Sequence, residues 1–81
     1  MKINYLKDLI NEGREIEFIY NNKKYSITYG KIDDVDVISF CEFYQDSIEV
    51  TNVDDLLNIV VDKKTILEIW KEMSEDEIWI F

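Results

Sequence analysis

Eighty-one residues with 47% hydrophobic content, 14% aromatic content and a formal charge of −9 leave room for one hydrophobic core, so a single domain over residues 1–81 is expected. No histidine is present, which removes the commonest general base and the commonest zinc ligand. The lone Cys41 cannot close an internal disulfide, and no unbroken apolar run is long enough for a signal segment or a membrane span, so a cytoplasmic protein is expected.

Asn4 is read as the cap of a first helix over residues 5 to 12 that buries Leu6, Leu9 and Ile10, with Gly13 as its left-handed exit. "EIEFIYNNKKYSITYG" then alternates on either side of Asn21-Asn22, residues that tolerate the positive φ of a two-residue turn. It predicts strands 15–20 and 23–29, pairing Tyr20 with Lys23, Phe18 with Tyr25 and Ile16 with Ile27. One face would collect Ile16, Phe18, Tyr20, Tyr25 and Ile27, and the other Glu15, Glu17, Lys24, Ser26 and Thr28.

After a polar break at Asp33-Asp34, Val35 to Phe43 reads as a third strand, antiparallel to the second because the connection is short. Both of its faces carry apolar residues, Val35, Val37 and Phe43 on one and Ile38 and Phe40 on the other, so either is eligible as the inner face. Asn52 is expected to cap a short helix, "VDDLLN", with Asp54 and Asp55 in the first turn, where the macrodipole favours negative charge. Thr65 and Glu68 form a capping box for "TILEIWKEM", which places Ile66, Ile69, Trp70 and Met73 on one helical face. "EIWIF" suits either a short edge strand or an apolar tail, completing the core or meeting another chain. The expected architecture is α+β: an N-terminal helix, a three-stranded antiparallel β-meander and two short helices packed on the sheet, with the C-terminal residues available as an edge strand.

The residues offer no catalytic constellation. Cys41 lies in a β pattern without a histidine to activate it and reads as a small core residue, while Ser26, Ser39, Ser47 and Ser74 lack a nucleophile-elbow context. Two isolated glycines, Gly13 and Gly30, cannot form a phosphate cradle, so no nucleotide cofactor is implied. A calcium loop started at Asp34 fails on spacing: position 5 is Ile38, position 6 is Ser39 rather than glycine, and position 12 is Gln45 rather than Glu. The expectation is a non-enzymatic protein without metal or cofactor.

Charge distribution says more than its sum. Residues 1 to 31 hold six bases and four acids, whereas residues 32 to 81 hold three bases and fourteen acids. Between Ile32 and Asp62 there are nine carboxylates and no base. Such a surface repels phosphates, so direct nucleic-acid binding is disfavoured and a basic partner protein is favoured. Asp33, Asp34, Asp36, Asp46, Glu49, Asp54 and Asp55 are the candidate contact residues. Alternate residues on a strand lie about 6.7 Å apart, against one charge per 3.4 Å along a DNA strand, so an imitation of that density needs several elements to converge.

A helix, a meander and further helices in a small acidic chain rich in lysine and isoleucine resemble the small proteins of phages and mobile elements of low-GC Gram-positive bacteria. In layout and charge the chain is similar to anti-CRISPR proteins that block a type II CRISPR nuclease by imitating DNA. That resemblance implies a non-enzymatic acidic inhibitor of a basic, nucleic-acid-handling protein. The alternative is a small intracellular interaction or structural module, homodimeric through Ile78–Phe81, whose charge serves solubility.

Overall fold

The computed structural model describes residues 1–81 as an α+β chain. Its first helix, α1 (Ile3–Asn11), starts ahead of the expected cap: Lys2 occupies the N-cap position and makes no side-chain capping bond. A tertiary contact ties this end of the helix to the core, because the Trp70 indole donates to the Lys2 carbonyl at 2.9 Å. Leu6, Leu9 and Ile10 are buried, as their spacing predicts. Gly13, with φ of +70°, provides the left-handed exit.

β1 (Ile16–Tyr20) and β2 (Lys23–Ile32) pair in the predicted register, from Ile16 opposite Ile27 to Tyr20 opposite Lys23. β2 continues three residues beyond its expected end and turns through Asp33-Asp34 into β3 (Val35–Glu42). β4 (Ile48–Val50) then pairs antiparallel with β3, an element absent from the expected meander. A second, two-stranded sheet joins β5 (Val60–Val61) to β6 (Lys64–Thr65). β7 (Ile78–Ile80) closes against β1, so the expected three-stranded meander is the centre of a five-stranded sheet of order β4-β3-β2-β1-β7.

Three turns share one solution. Asn21-Asn22, Asp33-Asp34 and Asp62-Lys63 all have positive φ at both positions, between 49° and 75°, as a two-residue hairpin turn of the right twist requires. None uses glycine.

α1, α2 (Val53–Leu57) and α3 (Ile66–Glu72) send their buried side chains into one cluster with Ile16, Phe18, Tyr25, Ile27, Ile38 and Phe40. This settles the face of β3: Ile38 and Phe40 point inward, and Val35, Ser39 and Cys41 lie on the opposite side. Phe18, Tyr25 and Phe40 stack with centroids 5.4 to 6.2 Å apart, and Trp70 is completely buried. The outer face, with Glu17, Lys24, Ser26, Thr28, Ser39, Glu49 and Trp79, is half-exposed or exposed. No helix is long and apolar enough to cross a membrane.

Candidate functional site

The seven candidate carboxylates are all exposed, but antiparallel topology separates them. Asp33 and Asp34 form the tip of the β2–β3 hairpin, with φ of 50° and 65°. Asp36 follows on β3 opposite Lys31, and their side chains form an exposed ion pair at 3.7 Å. Asp46 lies beyond the other end of β3, in the connection to β4. Glu42 lies six residue steps along β3 from Asp36, a span of about 20 Å, so Asp46 and the hairpin tip are at opposite ends of the sheet. Glu49 sits between them on the outer face, opposite Ser39, and accepts a bond from the Ser47 hydroxyl at 2.8 Å.

β4 runs back along β3 and returns the chain toward Asp36, with Val50 opposite Ile38. Asp54 and Asp55 follow in the first turn of α2. The Asn52 side chain accepts from the Asp55 N–H at 2.8 Å and donates to the Asp55 carboxylate at 3.1 Å, which fixes the helix start. Five of the seven candidates therefore gather around one end of the molecule, while Glu49 and Asp46 trail away from it.

Between these two acidic elements lies an open groove of about 540 Å³, lined by Ile10, Tyr29, Asp36, Ile38, Asn52 and Val53, with backbone from Gly13 and Gly30. It exists because β2 and β3 extend beyond β1: Ile16 pairs with Ile27, so the next inward residue, Tyr29, has no β1 side chain beside it. The Tyr29 hydroxyl donates to the Arg14 carbonyl at 2.8 Å. Burial, and then the charge of Glu15, push its pKa above the ordinary tyrosine value, so it remains a neutral donor at physiological pH. Asp36 is the only carboxylate lining the groove.

The groove residues Asn11, Tyr29 and Asn52 are not legible as a site in the sequence, because they come from three distant segments. One signal is present: Tyr29 continues the inward alternation of Tyr25 and Ile27 beyond Ile16, the last inward position of β1 opposite it.

No three Asp, Glu or Cys side chains converge closely enough to form a metal-binding set. Cys41 is half-buried on the outer face, with its sulfur 3.3 Å from the Ser26 hydroxyl. Comparison with protein-family models, with curated proteins and with solved structures finds no match. Function must therefore be read from the groove and its charge.

Proposed function

We propose that this protein is a non-enzymatic acidic inhibitor that acts in the cytoplasm by occupying a basic, nucleic-acid-handling protein. The anti-CRISPR type is the most specific form of this reading. One observation carries it: one groove, whose lining includes no base, is lined by Asp36, two residues from the Asp33-Asp34 turn, and by Asn52 and Val53, which lead directly into Asp54 and Asp55. Two acidic rims on rigid elements offer a basic surface a phosphate-like pattern denser than one strand face can supply. The groove between them gives an arginine or lysine side chain a polar, half-enclosed seat, with the Asp36 carboxylate at its edge and the Tyr29 ring beside it.

Lys31 faces Asp36 in the free protein at 3.7 Å. Exposed ion pairs of this kind contribute about 0–1 kcal/mol, so a partner's guanidinium exchanges for the ammonium at little cost. Association driven by such a surface is fast and weakens with salt.

A second reading has its own support. Asp33 and Asp34 occupy turn positions and Asp54 and Asp55 occupy helix-start positions, so all four also serve local structure in an interaction module whose charge keeps it soluble. Replacing Asp33, Asp34 and Asp36 together by asparagine separates the two, because asparagine keeps the turn geometry and removes the charge. Binding to a purified type II CRISPR nuclease at about 50 mM salt is expected to weaken at least tenfold, in the manner of an electrostatically steered complex. Unchanged binding by the triple variant defeats charge imitation. No binding by the unsubstituted protein defeats the anti-CRISPR form.

A further inference from the structure

β7 is an open sheet edge. The Phe81 N–H donates to the Glu15 carbonyl at 2.9 Å, so the alternate residue, Ile80, directs its N–H and C=O away from β1. The Ile78 carbonyl points the same way, while its N–H is satisfied by the Glu75 carbonyl. Exposed edges are ordinarily protected by a charge, a proline or a bulge. The opposite edge, β4, carries Glu49, whereas β7 reads Ile-Trp-Ile with no such protection.

Apolar surface collects beside this edge. Tyr5 and Trp79 are each 43% exposed and Phe81 is 60% exposed. On the inner side a cleft of about 250 Å³ runs between Met1, Tyr5, Ile78 and Ile80, with Glu75 at its rim. On the outer side Trp79 projects beside Glu17 and Lys24.

The two ends of β7 differ: three acids precede it, whereas its far end holds Arg14, which also pairs with Glu12 at 3.9 Å. The 3-10 turn Glu75–Glu77 precedes it, and the Arg14 guanidinium donates to the Phe81 carbonyl at 2.6 Å at its far end. An antiparallel copy would set each acidic turn beside the other copy's Arg14, whereas a parallel arrangement would set like charges together.

We propose that β7 pairs with β7 of a second copy, antiparallel and two-fold about Trp79, joining two five-stranded sheets edge to edge. Ile80 then donates to the partner copy's Ile78 carbonyl, and the reciprocal bond forms by symmetry. The two Trp79 residues face each other across the axis as a pair outside the hydrogen-bonded positions, where Cα atoms come within about 4.5 Å. A short edge with an aromatic flank lies at the small end of specific interfaces, below about 1,200 Å², so the dimer is concentration-dependent. This does not rest on the inhibitor reading, because it concerns the purified chain alone.

Sedimentation velocity from micromolar to millimolar protein is expected to show the mass rising toward twice that of the chain. Ile80→Pro removes the free-edge donor without touching a bond to β1, and Trp79→Lys sets two like charges across the axis; each is expected to remain monomeric with an unchanged circular dichroism spectrum. In a Cys41→Ser background, Trp79→Cys is expected to cross-link on oxidation, since the opposed positions meet disulfide geometry, while Ile19→Cys on the same sheet does not. A monomer at millimolar concentration overturns the proposal. So does a dimer that survives both edge variants, and so does the absence of the Trp79→Cys cross-link, an outcome that also covers a basic segment of another protein as the edge's true occupant.

Discussion

Trp70 shows how one side chain organises two distant segments. It is completely buried, its ring lies 6.5 Å from that of Tyr5, and its indole N–H reaches the Lys2 carbonyl. The bond ties the residue ahead of α1 to α3, although it leaves the first-turn N–H groups of α1 without a side-chain cap. Trp70→Phe keeps most of the apolar surface but leaves that carbonyl without its donor, which costs about 1–3 kcal/mol. Trp70→Ala adds a cavity and is expected to cost about 3–5 kcal/mol. Urea unfolding checks both, and equal losses for the two variants would mean that the cavity adds nothing to the lost bond. Burial of Trp70 is legible from its helical spacing with Ile66, Ile69 and Met73. Its bond to Lys2 is not, since nothing local in "MKINYL" encodes a donor almost seventy residues away.

At the scale of the element, local chemistry and strand length decide what the sequence reveals. The Asn21-Asn22 hairpin, the Asn52 cap and the Thr65–Glu68 capping box all form as their residues imply. β4 escapes because three residues carry too little alternation to register, and the β5–β6 hairpin escapes because Asp62-Lys63 lacks the usual asparagine or glycine. The groove escapes for a different reason: composition shows how many carboxylates there are, but strand reversal decides that Asp36 shares a groove with Asn52 and Val53, just ahead of Asp54, while Asp46 lies at the other end of β3. The α3 cap yields a pH prediction. Hydrogen bonds from the Thr65 backbone and hydroxyl hold the Glu68 carboxyl below its ordinary value near 4.5. Its stabilisation is therefore fully present above that value and is lost as pH falls through the lower folded-state pKa. Thr65→Ala is expected to cost about 1 kcal/mol at pH 7. The difference from the unsubstituted protein should shrink as pH falls from about 5 into strongly acidic conditions, where the carboxylate takes up its proton. Thermal melts across that range test this, and a constant difference would contradict it.

For the whole molecule, unbalanced charge governs the electrostatics. A net −9 on a body whose longest extent is 35 Å repels itself, and four exposed ion pairs do little to relieve it. Raising salt from about 10 to 150 mM shortens the Debye length from about 30 to 8 Å. The melting temperature is expected to rise by several degrees, at about 4–8 °C for each kcal/mol recovered. A fall would show that the ion pairs outweigh the repulsion. The sign is opposite to that expected for the proposed capture of a basic protein, which would weaken with salt, so one titration separates folding from that proposal.

Closure of β1 by β7 has a consequence for synthesis. The β1–β2 hairpin is local and forms as soon as it leaves the ribosome, but Ile16 must await Ile80 and Phe18 must await Ile78. At about 5–20 residues per second, the nascent chain carries β1 as a bare edge for several seconds. Translation speed through the second half of the message, rather than the intrinsic folding rate, thus sets how long that edge is open to a neighbouring polysome product.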